Sequence, residues 1–278
     1  MARVSPSALP IALTIAGSDS SGGAGIQADL KTFTAFGVYG ASVITALTAQ
    51  NTRGVSAVEL ASPAFVAAQM RAVLSDLDVG AIKTGMLATR ALVEVIAAEL
   101  DGAAAIPLIV DPVMVATSGD RLIDDEAVEA VKALMLPRAL LMTPNFPEAA
   151  RLLDCAVATT EVEAARQLEA LAKLGSRAVL LKGGHGSGAE AVDLLWSEGH
   201  ITRLASPRIA TMNTHGTGCT LAAAVAALLA SGVELASAVE RAKTYVHRAI
   251  ASAAVTSVGK GHGPVDHLYH IRKSGPPA

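Results

Sequence analysis

The sequence contains few aromatic residues, few charges and almost no cysteine. Aromatic side chains make up 3% of its 278 residues and charged side chains 17%, whereas 51% of the residues are hydrophobic. So large an apolar fraction excludes an intrinsically disordered chain, which needs low hydrophobicity and high net charge. A core built mainly from alanine, valine, leucine and isoleucine is expected, and such a core suits close packing of helices on a sheet.

Several classes of protein are disfavoured by what is missing. The net charge is −3 and no basic block occurs, so a nucleic-acid partner is not predicted. The apolar run Leu221–Ala230 is far shorter than the ~20 residues of a membrane span, and Met1–Pro10 lacks the apolar stretch of a signal peptide. Cys155 and Cys219 lack metal-ligand spacing, so we expect reduced thiols in a cytoplasmic protein.

Short apolar runs alternate with longer helical segments through the first two thirds of the chain. This alternation predicts parallel strands joined by right-handed helical crossovers. Strands are predicted at Ile11–Ala16, Val38–Thr45, Gly54–Leu60, Val79–Ile82, Ile106–Asp111, Leu140–Thr143 and Ala178–Lys182. Helices are predicted at Gly25–Phe36, Ser62–Leu77, Thr89–Leu100, Asp124–Leu134, Pro147–Leu153 and Thr160–Leu174. Parallel sheets are covered on both faces, which explains why the strands are apolar throughout.

The pattern changes after Lys182. Val192–Trp196 and Ile201–Leu204 predict an antiparallel pair, and two long helices follow from Gly218 and Glu234. The tail, rich in glycine, histidine and proline, is expected to be peripheral. We therefore predict the α/β class: one domain over 1–278, a three-layer α/β/α sandwich with a mostly parallel central sheet and a small β flap at 38–60.

The first candidate binding loop is the glycine- and serine-rich segment 17–25, after the first strand. Gly23–Ala28 fits the dinucleotide pattern G-x-G-x-x-A, but no acidic residue ends the next strand to bind a ribose. Glycine lets backbone approach a bound molecule, so a ligand-approach loop is favoured. A tight turn without a ligand is the alternative.

The second candidate loop is Thr214–Thr220, just before a very apolar helix. Its glycines allow backbone N–H groups to converge, and the N-terminus of the helix adds partial positive charge. These features suit a phosphoryl group. Neither glycine-rich loop is a Walker A motif.

Two further strand ends carry polar groups suited to phosphate and metal. Lys182 ends a buried strand beside two glycines. Asn145 and Glu148 stand three residues apart where a helix begins, and Asp111 ends another strand. Oxygen ligands of this kind, together with water, suit Mg²⁺.

Taken together, these motifs resemble the hydroxymethylpyrimidine/phosphomethylpyrimidine kinase family of the ribokinase-like superfamily, from Ala12 to about His267. The resemblance is carried, in order, by SGGAGIQADLKTF (21–33), SVITALTAQNT (42–52), KTGM (83–86), DPVM (111–114), TPN with Glu148 (143–148), KGGH (182–185), NTHGTGCT (213–220) and GKGHGPV (259–265). Each motif is moderately specific, and the ordered set is very specific.

The resemblance implies a role for each candidate residue. Gln50 would hold the aminopyrimidine, because a carboxamide can donate to a ring nitrogen and accept from an exocyclic amine. The same pocket would be lined by Gly17, Asp29, Met86 and Val113. The nucleotide would be bound by Lys182, Asn145, Thr214 and Gly218. The anion hole would be formed by Gly216, Thr217, Gly218 and Cys219, and Lys182 would also be catalytic. The Mg²⁺ ion would be held by Asn145, Glu148 and Asp111. A homodimer is also implied.

The implied activity is two ATP-dependent phosphorylations of one molecule in thiamine biosynthesis, first of a hydroxymethyl group and then of the resulting monophosphate. Cys219 stands where most sugar kinases of the superfamily have an aspartate base. A helix N-terminus can lower a thiol pKa from ~8.5, whereas nearby phosphates oppose this, so the protonation state is open. If Cys219 is a base, Cys219→Ala should slow the first transfer more than the second.

Two other functions remain possible at this point. A pyridoxal kinase of the same superfamily also phosphorylates a hydroxymethyl group on a methylated nitrogen heterocycle. A non-catalytic ligand sensor is disfavoured by the intact candidate motifs. His267 and His270 could bind a metal, but without a third ligand a solvated tail is favoured. The roles of His185 and His215, beside the phosphate loops, are open.

Overall fold

The computed structural model describes residues 9–114, 123–184 and 188–273. Nine strands within these residues form one sheet in the order β3-β2-β1-β4-β5-β6-β7-β8-β9. The strands are β1 (Ile11–Asp19), β2 (Tyr39–Asn51), β3 (Gly54–Leu60), β4 (Ala81–Thr84), β5 (Leu108–Val110), β6 (Leu141–Met142), β7 (Ala178–Leu181), β8 (Glu190–Ser197) and β9 (His200–Pro207). The six strands from β2 to β7 in this order pair in parallel, while β3, β8 and β9 pair antiparallel at the two edges.

Helices cover both faces of this sheet. They are α1 (Gly25–Ala35), α2 (Pro63–Leu74), α3 (Arg90–Leu100), α4 (Asp125–Ala130), α5 (Phe146–Leu153), α6 (Glu161–Ala172), α7 (Thr217–Ala230), α8 (Leu235–Ala253) and α9 (Tyr269–Lys273). Helices α1, α7 and α8 pack on one face, and α2 to α6 on the other. Neighbouring strand residues alternate between the two cores, as Ile82 and Ala81 do. The predicted three-layer α/β/α fold with a mostly parallel sheet is confirmed.

Local sequence signals fix several helix starts. The hydroxyl of Ser62 accepts from the amide of Phe65, and Pro63 occupies the first helical position, where its missing N–H is harmless. Thr160 and Glu163 form a capping box at the start of α6, which satisfies backbone donors at the helix end. Helix α4 instead ends in a π turn at Val131–Met135 that the sequence did not indicate.

The second strand is longer than predicted. Instead of stopping at Thr45, β2 continues to Asn51, so Gln50 lies within the strand and the turn is at 52–53. The first part of β2 pairs with β1 and its last part with β3. This second part forms the predicted flap, and its partial exposure on both faces removes the apolar run that identifies a buried strand.

The prediction of a peripheral, solvated tail is wrong for residues 263–267, which are mostly buried, whereas His270 is exposed as predicted. Thr52 accepts amide hydrogen bonds from Lys260, Gly261 and His262, which fastens the tail to the β2–β3 turn. His267 is buried, lies 3.0 Å from the hydroxyl of Thr220, and has its pKa lowered to about 4 by burial. It is therefore a neutral packing residue.

No helix among the described residues is both long and apolar enough to cross a membrane.

Candidate active site

A cavity of about 610 Å³ opens at the carboxyl ends of the parallel strands, where ligands bind in folds of this kind. The sequence-predicted residues that line it are Gly17, Gln50, Met86, Asp111, Val113, Asn145, Glu148, Lys182, Thr214, Gly216, Thr217, Gly218 and Cys219. Asp29 is not part of the lining, because its carboxylate is fully buried behind the wall. His185 lies outside the described residues.

The two glycine-rich loops touch each other along one side of the cavity. Gly216 has a φ of 77°, and a Cβ atom there would lie 1.8 Å from the carbonyl oxygen of Gly23. Gly25 has a φ of 56°, and its Cβ atom would lie 2.4 Å from the carbonyl oxygen of Gly17. Only glycine tolerates such positions. The ligand-approach reading of segment 17–25 is consistent with this contact, since both loops border the cavity.

Helix α7 points its N-terminus into the cavity. The first residues of a helix have N–H groups without a carbonyl partner inside the helix, and the amides of Gly218 and Cys219 are among them. Thr217 is held by its hydroxyl, which donates to the carbonyl of Thr214 at 2.7 Å. The loop therefore presents backbone donors and helix-dipole charge to an anion.

Lys182 faces this helix end. Its ammonium donates to Asp111 Oδ1 at 2.7 Å, and a Cβ atom added at Gly218 would lie 3.0 Å from its Nζ. Glu148 Oε2 is 3.9 Å from the same Nζ. Burial opposes both charges, but their attraction raises the pKa of Lys182 and holds the pKa of Asp111 below its usual range. The cation is thus fixed beside the anion-binding amides.

Asn145 and Glu148 form a capping box at the start of α5. The backbone amide of Asn145 donates to Glu148 Oε2 at 2.7 Å, and the backbone amide of Glu148 donates to Asn145 Oδ1 at 2.8 Å. Burial raises the pKa of Glu148 to about 7, despite the nearby charge of Lys182. The helix cap therefore uses Glu148 Oε2 and one lone pair of Asn145 Oδ1, which leaves Glu148 Oε1 and the second lone pair of Asn145 Oδ1 for other partners.

These oxygens fit Mg²⁺ bound largely through water and phosphate. Asp111 and Glu148 supply two carboxylates within reach of one lysine, and Asn145 adds an amide oxygen. Among the described residues no group of three histidine, cysteine or acidic side chains could hold a metal. Mg²⁺ in nucleotide sites needs only one or two carboxylates, because phosphates and waters complete its shell.

Lys83 is a site residue that the sequence reading did not single out. It is fully buried at the end of β4, borders the cavity, and donates to both oxygens of Asp29 at 2.8 and 3.1 Å. Thr14 also donates to Asp29, at 2.6 Å. Burial disfavours the ammonium, but the Asp29 carboxylate outweighs it and raises the pKa of Lys83. The sequence signal that could have identified Lys83 as a site residue is the presence of a lysine in an otherwise apolar strand.

Cys219 is in the first turn of helix α7 and lines the cavity. Burial raises the pKa of its thiol to about 11, although the charge of Lys83 works in the opposite direction. The helix N-terminus therefore does not produce a thiolate, and Cys219 keeps its proton at neutral pH.

A second polar cluster joins the glycine loops to Gln50. Asp19 accepts from the amides of Gly23 and Ala24 and from His215 Nε2, the last at 2.8 Å. Burial raises its pKa, but these donors prevail and lower the pKa of Asp19 to about 2. Asp19 is therefore ionised at neutral pH. Sequence reasoning missed Asp19 and left His215 without a role, because nothing local indicates a contact across 196 positions.

Known proteins share both the sequence and the fold. The family model described as phosphomethylpyrimidine kinase matches residues 19–266. A hydroxymethylpyrimidine/phosphomethylpyrimidine kinase of Rhizobium meliloti is 58% identical over 261 residues, which cover 93% of this chain and 97% of the relative. The crystal structure of a phosphomethylpyrimidine kinase from Clostridium difficile is 42% identical with a TM-score of 0.76, and covers 86% of this chain and 99% of that one. An ADP complex of Bacillus subtilis pyridoxal kinase is 34% identical with a TM-score of 0.87, covering 95% and 100%.

The fold and the site define a ribokinase-like small-molecule kinase. The sequence comparisons identify a narrower family than the fold does. The chain belongs to the phosphomethylpyrimidine kinase family, so the resemblance noted from the motifs is confirmed, as is a kinase that uses ATP.

Proposed function

We propose that this kinase transfers the γ-phosphoryl group of ATP to the hydroxymethyl group of 4-amino-5-hydroxymethyl-2-methylpyrimidine, and then phosphorylates the monophosphate to the pyrophosphate. The hydroxymethyl oxygen bonds to the γ-phosphorus as the bond to ADP breaks, and the alcohol proton passes to solvent water. In the second transfer a phosphate oxygen, already ionised at neutral pH, replaces the alcohol.

One observation supports the proposal most directly. Lys182 Nζ stands next to Gly218 at the N-terminus of α7 while Asp111 and Glu148 hold it there. A cation on one side and free amides on the other can neutralise a phosphoryl group between them. Phosphoryl transfer depends mainly on such positioning and charge stabilisation.

The same geometry suits both transfers. Because the transition state is loose, little help from a base is needed to remove the alcohol proton. The neutral thiol of Cys219 is thus assigned to shaping the anion hole, and the base role considered from the sequence is not retained. Asn145, Glu148 and Asp111 would hold Mg²⁺ through water, and the ion would shield phosphate charge.

The substrate end of the cavity is assigned to Gln50, Gly17, Met86 and Val113. Gln50 offers a donor and an acceptor side by side, and the sulfur of Met86 lies 3.7 Å from where a Gly17 Cβ atom would stand. Met86 therefore packs against Gly17 at this end of the cavity, and a larger residue than glycine would meet its side chain. Asp29 would act on this end only through Lys83.

Pyridoxal is the second candidate substrate, because the fold matches that of a pyridoxal kinase closely. Incubation with ATP, Mg²⁺ and either hydroxymethylpyrimidine or pyridoxal, followed by mass analysis of the products, separates the two. The proposal expects a monophosphate and then a pyrophosphate from the pyrimidine. Turnover of pyridoxal alone would overturn it. The homodimer implied by the resemblance stays a prediction, as do the cytoplasmic location expected from the cysteines and the single domain over 1–278.

A further inference from the structure

Lys83 is a buried cation at the substrate end of the cavity. It lies on β4, next to β1 in the sheet, and a Cβ atom at Gly85 would lie 3.0 Å from its Nζ. Gly85 lines the cavity together with Gly17 and Met86. The ammonium is therefore separated from this part of the lining by a residue without a side chain.

The ammonium of Lys83 is held in place from the side away from the cavity. Both oxygens of Asp29 accept from Nζ, at 3.1 and 2.8 Å, and the hydroxyl of Thr14 donates to the same carboxyl group. An ammonium has three hydrogens, so Asp29 leaves one of them for another partner. Because Lys83 borders the cavity and Asp29 does not, the positive end of this pair is the end nearer to the cavity.

The charge of Lys83 also acts on the anion hole. Burial raises the pKa of the Cys219 thiol, in the first turn of α7, and the charge of Lys83 works against this rise. Lys83 is fully buried, and a buried charge acts through a medium of low dielectric constant, where its effect is larger than in water. Lys83 therefore acts on the place where the substrate end and the anion-binding amides meet.

The other lysine and arginine side chains that line the cavity have partners elsewhere in the site. Among the described residues they are Arg151, Lys182, Arg208 and Lys243. Lys182 is assigned to the phosphates of ATP, and Lys243 donates to Asp193 on β8 at 2.7 Å. Arg208 donates to three backbone carbonyls, and Arg151 pairs with Asp125. Within the described part of the chain, Lys83 is thus the lysine or arginine of the substrate end.

The two proposed transfers differ in the charge of the substrate. The alcohol is neutral, whereas a phosphate monoester carries a charge of about −1.5 to −2 at pH 7. In the second transfer an oxygen of this phosphate bonds to the γ-phosphorus as the bond to ADP breaks, and the electron pair of that bond leaves with ADP. Two anionic phosphates must approach each other, so this transfer needs more positive charge than the first.

We propose that Lys83 is a specificity-determining residue of the second transfer, whose ammonium compensates the charge of the phosphate that the substrate itself carries. This inference rests on the proposed function. Lys182 serves the ATP phosphates in both transfers, and Lys83 adds the charge that the monophosphate alone requires. One set of anion-binding amides can then serve two substrates of different charge.

The experiment compares kcat/KM for the monophosphate with kcat/KM for the alcohol at saturating ATP. Lys83→Met keeps an unbranched side chain and removes the charge. It should lower the ratio of monophosphate to alcohol by about tenfold or more, the loss expected for one interaction with a charged group. Lys182→Met is the matched comparison and should leave this ratio near its wild-type value, because both transfers use ATP.

The double variant Lys83→Met/Asp29→Asn separates the charge of Lys83 from its contribution to stability. It removes both charges of the pair, so it should be more stable than Lys83→Met while the ratio stays low. A purely structural role for Lys83 would return the ratio to its wild-type value in the double variant, and this would overturn the inference. An unchanged ratio in Lys83→Met would overturn it as well.

The two substrates are compared on one preparation of each variant, so partial unfolding does not change the ratio. Should Lys83→Met fail to fold, the ratio in the double variant decides alone. If the wild-type protein phosphorylated neither the alcohol nor the monophosphate, the proposed function itself would fall, and this outcome is distinct from an unchanged ratio.

Discussion

Lys182 is bonded to Asp111 at 2.7 Å and at the same time borders Gly218 at the N-terminus of α7. Asp111 fixes the ammonium from behind, with help from Thr143, whose hydroxyl donates to Asp111 at 3.0 Å. The lysine therefore reaches the anion-binding amides without having to be ordered by its ligand. Such preorganisation is how charged groups lower the barrier of phosphoryl transfer.

Lys182→Met should reduce both phosphorylations by about 10²–10³-fold, because both draw the phosphoryl group from ATP at the same place. Initial rates with the alcohol and with its monophosphate measure this. Lys182→Arg is the matched control that keeps the charge, and it should lose less. If Lys182→Met left either transfer at its wild-type rate, the assignment of the nucleotide phosphates would be wrong.

Cys219→Ala should slow the two transfers by similar factors, because a thiol with a pKa of about 11 keeps its proton at pH 7 and cannot accept another. Separate rates for the alcohol and the monophosphate decide the matter. A loss confined to the alcohol would restore the base role.

Alkylation of Cys219 should be slow at pH 7 and rise about tenfold for each pH unit toward pH 11, since only the thiolate reacts and burial raises the pKa of this thiol to about 11. A Cys155→Ser background leaves one thiol for mass analysis with iodoacetamide. The protein unfolded in urea is the control and should react at the lower pH of a free cysteine. Fast labelling of folded Cys219 at pH 7 would contradict the raised pKa.

Glu148→Gln should raise the Mg²⁺ concentration needed for half-maximal activity, because it removes one of two carboxylates. Its amide oxygen can still accept from the Asn145 backbone, which preserves the helix cap described above. Thermal unfolding should therefore change little. An unaltered Mg²⁺ dependence would remove Glu148 from the metal site.

Lys83→Met should destabilise the protein by about 1–3 kcal/mol, because it leaves the buried carboxyl of Asp29 without its hydrogen-bonding cation, and burial, which already raises the pKa of Asp29, favours the neutral carboxyl. The double variant Lys83→Met/Asp29→Asn removes both charges and should be more stable than Lys83→Met alone. Urea unfolding of the four proteins in this cycle measures the coupling. A loss of stability in the double variant equal to the sum of the two single losses would show that the two residues do not act as an ion pair.

Most of the sheet and its helices follow from local sequence, and parts of the site do not. The capping box at Thr160 and the apolar strands are set by neighbours in the chain, so periodicity and capping rules find them, whereas Asn145 and Glu148 were interpreted from the sequence as metal ligands. The extension of β2 through Gln50 depends on pairing with β3. The buried pair Lys83–Asp29 and the bond from His215 to Asp19 join residues 54 and 196 positions apart, beyond the reach of any local pattern.

The most direct test of the central claim is a crystal structure with a non-hydrolysable ATP analogue and hydroxymethylpyrimidine. The account predicts a γ-phosphate within hydrogen-bonding distance of the Gly216–Cys219 amides and of Lys182 Nζ, with the hydroxymethyl oxygen in line with it. Phosphates bound elsewhere in the protein, with Lys182 contacting only Asp111 and Glu148, would contradict it.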